Sequence, residues 1–209
     1  MPGQQLAPEA QLAQQYGVNR LTMRRALEEL ARAGIVRTEH GVGSFIAVPA
    51  VRHRIDDGEA SLSESMARRG IAVRHRVLAI TEVDPGTEHP FPSFPGAVVE
   101  FRFVRYLEDQ PWSMGEVRLP AVLAPRDWDG SASVFADVAA RHGLVVKRAE
   151  RAFSAGPATP EQAGWLDVPV GSALLKLRGF NTDQDGRVVA TLVHHIRGDR
   201  AEYVVQLPQ

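Results

Sequence analysis

The sequence predicts an α+β protein in two unequal parts, a winged helix-turn-helix at the N-terminus and a larger domain built on an antiparallel sheet. Three observations lead there. Residues 12–48, LAQQYGVNRLTMRRALEELARAGIVRTEHGVGSFIAV, read as a helix, a glycine turn, a second helix carrying arginines and a small hairpin. Further on, β-rich stretches such as VVEFRFVRYL are joined by tight turns. Short helices with recognisable caps interrupt those stretches, which is the pattern of a mixed domain and not of a sandwich.

Composition narrows the function classes. The 209 residues contain no cysteine, which excludes disulfides and thiolate metal sites and points to a reducing, cytoplasmic setting. No apolar run approaches the ~20 residues a membrane helix needs, and MPGQQLAPEA is not a signal peptide, so no membrane partner is expected. The formal net charge of -1 argues against nucleic acid until the chain is divided. Residues 1–55 hold seven arginines against four acids, and the remainder holds 17 basic against 21 acidic residues. A basic head on an acidic body places any DNA contact at the N-terminal end.

Pro8 and Glu9 suit the first turn of a helix, where a missing N–H costs nothing and a carboxylate meets the positive dipole end. Leu12, Ala13 and Tyr16 recur at helical spacing, and Gly17 ends the helix. Asn19 is a good N-cap for a second helix over Arg20 to Ala33. Met23, Ala26, Leu27 and Leu30 make its apolar stripe, with Arg20, Leu21, Thr22, Arg24 and Arg25 on the flanks and far side. Ile35 to Thr38 and Ser44 to Val48 form a hairpin about the 39–43 turn. Arginines on a lone helix are usually a solvated face. Here they crowd the first turns of the second helix of a helix-turn-helix, where base edges and phosphates are met. His40 and Gly41 sit at the hairpin tip, suited to the DNA backbone or minor groove.

The run VNRLTMRRALEELARAGIVRTEHGVGSFIA resembles the DNA-binding domain of the GntR family of bacterial transcription regulators, and PGQQLAPE is similar to the segment that precedes it there. The resemblance implies DNA contacts by Asn19, Arg20, Thr22, Arg24, His40 and Gly41, with Arg25 beside them. Family members carry a further helix ahead of this motif, whereas this chain opens at the motif. The fold expected is therefore a winged helix-turn-helix lacking its usual first helix, and a start placed too late in the gene is the expected cause.

After a polar connector over Pro49 to Asp57, Ser61 to Arg69 reads as a short helix with Ser61 and Glu64 as a capping box. Val73 to Val83 alternates, with Arg74, Arg76 and Glu82 on one side and Val73, His75, Val77 and Ala79 on the other. The proline-rich stretch from Asp84 to Gly96 is a loop. Val98 to Leu107 and Trp112 to Leu119 form a hairpin. Ser133 to His142 is a helix, Leu144 to Ala155 a strand, and Thr159 to Leu166 a helix capped by Thr159 with Pro160 at its first position. Leu174 to Asp183 and Val188 to Ile196 pair through Gln184-Asp185-Gly186, and Tyr203 to Leu207 is the last strand.

Residues 61–209 resemble the UTRA effector-binding domain of HutC-type GntR regulators, a chorismate-lyase-like fold. The resemblance is carried by the strand ending in Arg105, the LPAVL segment, the run from Glu161 to Leu175, the D-x-D-G turn and Arg197-Gly198-Asp199-Arg200. It implies domains over 1–48 and 61–209 with a linker over 49–60, a small anionic effector and a homodimer. Arg105 matches the family's strand arginine, while Phe103 stands where a second arginine is usual. Gly115 occupies the place of a hydroxyl-binding glutamate, with Glu116 one position on, and Ala190 replaces a late glutamate. Only part of a sugar-phosphate constellation is thus present, and the effector class spans carboxylates, phosphates, phosphonates and sugar phosphates. Arg148, Arg151 and Ser154 are further candidates, because a guanidinium holds a carboxylate or phosphate bidentately. Arg197, Asp199 and Arg200 read as a charge-closed turn. His194 and His195, neighbours on a strand, point to opposite faces and cannot share a metal.

The function expected is a DNA-binding regulator, a repressor, controlled by that effector, with no cofactor and no catalytic residues. The alternatives are a small-molecule-binding protein whose truncated head no longer holds DNA, and a lyase-like enzyme by fold analogy alone.

Overall fold

The computed structural model describes residues 3–33, 35–39, 41–47, 50–54, 62–84, 94 and 96–205. The chain divides into two compact units, Met1–Val51 and Arg52–Gln209.

In the first unit, α1 (Glu9–Gln15) and α2 (Arg20–Arg32) are followed by a hairpin of β1 (Val36–Glu39) and β2 (Gly43–Ile46). Pro8 stands at the N-cap position of α1 without a side-chain capping bond, and Gly17 takes the left-handed turn at φ 64. The Asn19 side chain caps α2, accepting from the Thr22 N–H at 2.8 Å. α2 packs on α1 and β1 mainly through Met23, the one residue of the expected stripe that is buried. Leu27 is half-buried, and Ala26 and Leu30 are exposed, so two short neighbours cover less of the helix than its periodicity implies. The hairpin gains a third, unpredicted lane: Gly3 and Leu6 donate to the carbonyls of Ile46 and Ser44, and Ile46 donates to Gln4. Gly43 is required there. Its φ is 139, and a Cβ would stand 2.7 Å from the Gln5 side chain. Gly34, His40, Val48 and Pro49 lie outside the described residues.

The second unit follows with β3 (Val51–Arg54), α3 (Leu62–Arg68), β4 (Val73–Val83), β5 (Val98–Leu107), β6 (Gln110–Pro120), α4 (Val134–His142), β7 (Lys147–Pro157), α5 (Pro160–Leu166), β8 (Ala173–Thr182), β9 (Val188–Arg197) and β10 (Ala201–Val204). Six strands make one antiparallel sheet in the order β4-β5-β6-β9-β8-β7. β3 pairs with β10 in a separate two-stranded sheet. The connector expected over residues 49–57 therefore contains a strand, whose partner lies at the far end of the chain. Ser61, the Glu64 side chain and most of the proline-rich stretch are outside the described residues.

One face of the large sheet packs on α5. Val104, Met114 and Leu174 meet Ala163 and Leu166 there, and Arg102 reaches Glu161 at 2.7 Å. α5 begins with a complete capping box between Thr159 and Gln162. On the other face, Phe101, Phe103 and His75 surround Trp128. The Trp112 indole donates to the Arg200 carbonyl at 3.0 Å, and Arg197 grips Asp199 at 3.1 and 2.8 Å, closing the last turn by charge.

Of the four register shifts among the described residues of the large sheet, those in β4 and β7 bear on the side chains expected to share a face. A register shift at Leu78 pairs Val77 with Phe103 but Ala79 with Arg102. Directly paired residues share a face, so Ala79 leaves the side of Val77, and Glu82, opposite Val99, leaves that of Arg76. A second shift at Ala149 acts in the same way on β7.

Candidate functional site

The exposed surface of α2 carries Arg20, Thr22, Arg24 and Arg25, with Asn19 at its N-terminus. Arg24 is held bidentately by Glu9 of α1, at 3.1 Å from Nε and 3.1 Å from Nη2. That pair is solvent-exposed and weak, so a phosphate can replace the carboxylate. Gly41 is exposed at φ 77 in the hairpin turn, a conformation a glycine adopts without strain. His40 lies outside the described residues.

In the second unit, a cavity of about 40 Å³ opens on the sheet face away from α5. Arg105 from β5, Arg148 and Arg151 from β7, Leu177 from β8, Leu192 and His194 from β9, Tyr203 from β10 and His53 from β3 line it, closed by Leu62 of α3 and Phe135 of α4. Arg148 and Arg151 are three residues apart and would face opposite sides of a regular strand. The extra residue at Ala149 turns both to the cavity.

Arg105 is buried. Its Nε–H donates to His75 Nε2 at 3.3 Å and its Nη1 to Ser113 Oγ at 3.3 Å. Arg151 donates to the Phe180 carbonyl at 2.9 Å and to Asn181 Oδ1. Arg148 Nη2 donates to His53 Nε2 at 3.1 Å. No carboxylate lines this cavity among the described residues, and neither Arg105 nor Arg151 forms an ion pair there. Burial pushes both guanidiniums down to about 10, with Arg148 adding like-charge repulsion. At neutral pH they stay charged. Arg105 and Arg151 share a small desolvated space in which no described residue supplies a counter-charge, an arrangement that costs several kcal/mol per ion unless something pairs with it. Two further polar atoms on this face, His194 Nδ1 and Asn181 Nδ2, are buried without a hydrogen-bond partner among the described residues. Burial, followed by the neighbouring arginines, holds His194 well below the ordinary histidine range, so it is neutral.

Two sequence candidates stand elsewhere. Glu116 is a correction: it pairs with Arg102 at 3.9 Å on the α5 face, because β6 presents Ser113 and Gly115 to the cavity side and even-numbered neighbours to the other. Ser154 is exposed and pairs in register with Lys176, on that same opposite face. The residues that sequence reasoning missed are His53, His75, Asn181, His194 and Tyr203. His53 and Tyr203 arrive through the long-range β3–β10 pairing, which no local pattern announces.

The comparisons with known proteins decide the family. A model of the UTRA domain matches residues 68–202, and one of bacterial regulatory proteins of the gntR family matches residues 1–46. The chain is a GntR-family regulator with a UTRA domain. The HTH-type transcriptional repressor NagR of Bacillus subtilis is 24% identical over 208 residues, covering 97% of this chain and 85% of that protein. The HTH-type transcriptional regulator Rv0792c of Mycobacterium tuberculosis is 27% identical over 216 residues, covering 99% and 79%. Among solved structures, PhnF from Mycobacterium smegmatis shares the fold with a TM-score of 0.68 at 22% identity, over 100% of this chain and 93% of that one. The two relatives of the GntR-family chain, NagR and Rv0792c, are transcription regulators, not enzymes. GntR regulators bind operator DNA and take small effectors in the UTRA domain. No helix among the described residues is long and apolar enough to cross a membrane.

Proposed function

We propose that this GntR-family chain is a cytoplasmic repressor that binds operator DNA as a homodimer, and that a small anion bound by Arg105, Arg148 and Arg151 controls its affinity. The observation that carries this reading is the pair of desolvated guanidiniums, Arg105 and Arg151, in a cavity with no carboxylate among its described lining residues. A carboxylate, phosphate or phosphonate head group supplies the missing charge and can engage each arginine bidentately. Its remaining oxygens are acceptors of the kind that His194 Nδ1, buried on the cavity face without a partner among the described residues, can use. The absence of glutamate at positions 115 and 190 disfavours a ligand recognised through sugar hydroxyls. On the DNA side, Asn19, Arg20, Thr22, Arg24 and Arg25 on α2 read the major groove, and the tip with His40 and Gly41 follows the backbone or minor groove. An effector that binds one arrangement of the dimer better than another shifts operator affinity by that difference.

The test is a thermal-shift screen of the full chain against phosphate, sulfate, phosphonates and simple carboxylates, repeated with Arg105→Met. Stabilisation by at least one of these in the native chain and its loss in the variant are expected. Stabilisation that survives Arg105→Met places the anion elsewhere and overturns the reading.

A further inference from the structure

α5, seven residues long, covers the sheet face opposite the arginine cavity over Val104, Met114 and Leu174. Beyond that helix one row of side chains crosses the face. Arg102 pairs in register with Glu116, Glu116 with Val193, Val193 with Arg178, and Arg178 with Ala152. Directly paired residues share a face, so all five stand on it. Val193 of the inner strand β9 is 7% exposed, and the other four are half-buried. A carboxylate on β6 and a guanidinium on β8 thus flank one apolar residue, two strands and about 10 Å apart. Each is short of a partner. The one ion pair of Glu116 among the described residues is the 3.9 Å contact with Arg102, and Arg102 is itself taken by Glu161 at 2.7 Å. Burial, followed by the neighbouring Glu100, holds the Glu116 carboxyl above its usual range. Arg178 forms no hydrogen bond or ion pair among the described residues.

We propose that two copies of the chain meet on this row: the face packs on the same face of a second copy about a two-fold axis running along β9, and Arg178 of each copy pairs with Glu116 of the other. The inference rests on the homodimer reading above and gives that dimer its interface. Rotation about this axis keeps the row at its own level and exchanges the two sides of β9. β8 then lies over β6 of the other copy, and Arg178 over Glu116, twice, which is the reciprocity of an isologous contact. Val193 meets its own counterpart on the axis. A two-fold axis across the strands would instead set Arg178 on Arg178 and Glu116 on Glu116, and such like-charge contacts are costly. An antiparallel sheet can also leave one face to water. A face left to water gains nothing from an underused carboxylate and an unpaired guanidinium placed symmetrically about one apolar residue.

The test is sedimentation equilibrium of the full chain, native and in two charge reversals. The native chain sediments as a dimer. Arg178→Glu opposes two carboxylates at both contacts and Glu116→Arg opposes two guanidiniums, so each variant alone has a dimer Kd raised by about a hundredfold or more. An equimolar mixture of the two variants restores the dimer, because both contacts of the mixed pair join opposite charges. Recovery in the mixture also shows that neither variant dissociates by unfolding. Arg178→Gln, which removes the charge without reversing it, raises the Kd by a smaller factor of about two to ten. Variants that dimerise as tightly as the native chain overturn this interface and leave the homodimer standing, as does a mixture of folded variants that stays monomeric. A native chain that is monomeric at every concentration overturns the homodimer reading, and this inference with it.

Discussion

Phe103 and Gly115 face each other across β5 and β6, and the ring of Phe103 fills the space a side chain would need at Gly115: a Cβ there would stand 2.6 Å from the ring and 2.8 Å from His194 Cε1. The resemblance to HutC-type regulators puts an arginine and a glutamate at these two places. This chain has replaced a charged cross-strand pair by an aromatic ring laid over glycine, a known way of covering a bare strand position. That face therefore presents no carboxylate at position 115, and its cations are Arg105, Arg148 and Arg151.

Gly115→Ala is expected to destabilise the second unit by about 1–3 kcal/mol through overpacking. Phe103→Leu should relieve part of that cost, so that urea unfolding of the two single variants and the double variant gives a non-additive cycle. Additive effects would mean that the ring and the glycine are not coupled.

Stability should fall as the solution is acidified below neutrality, and His75 should be one cause. Its Nδ1 faces the Gly130 carbonyl at 3.0 Å, which can only accept, so Nδ1 carries the proton and Nε2 is the lone pair that receives Arg105. Burial, and then Arg105, lower its pKa from 6.5 to about 3. Between those values the unfolded chain binds the extra proton, so this contribution is complete above pH 6.5 and is lost as pH falls toward 3. His194, lowered in the same direction, adds to the slope. Urea midpoints measured from neutral pH downward should fall less steeply for His75→Gln than for the native chain. Equal slopes would remove His75 from the account.

Arg105→Met should abolish phosphate binding and, without ligand, raise stability by on the order of 1 kcal/mol, because it removes a buried charge with no carboxylate partner. Thermal melts with and without phosphate check both signs. A variant less stable than the native chain would show that Arg105 is chiefly a structural residue.

Arg20→Ala and Arg24→Ala should each weaken operator binding severely while leaving phosphate binding intact. Where the lost contact is to a phosphate, the salt dependence of DNA binding should drop by about one unit of slope. Glu9→Gln frees Arg24 from its 3.1 Å pair and should leave binding equal or stronger. Gel shifts insensitive to both arginine changes would remove α2 from the interface.

Much of the fold was legible because its signals are local. The alternation of VVEFRFVRYL yields the bounds Val98–Leu107, Asn19 and Thr159 cap the helices they precede, and Gln184-Asp185-Gly186 turns β8 into β9. The candidate site was legible only in part. Arg105, Arg148 and Arg151 were visible as residues, but an alternating strand puts Arg148 and Arg151 on opposite faces, and the extra residue at Ala149 that unites them leaves no trace in a pattern of period two. The same rule misplaced Glu116, since nothing in the sequence says which face of β6 meets α5. His53 was hidden more deeply. VRHR alternates charge with apolar residues over too short a span to stand out, and its partner β10 is separated from it by nearly the whole second unit.

The central claim is that a buried anion governs DNA binding by the head. The most direct measurement is the affinity of the full chain for a duplex selected from a random library, followed by fluorescence anisotropy with phosphate against chloride at matched ionic strength. Phosphate is expected to shift the affinity of the native chain by about fivefold or more, the lower end of allosteric coupling, and to leave Arg105→Met unmoved. Equal affinity in the two salts for a native chain shown to bind phosphate, or an equal shift in the variant, would contradict it.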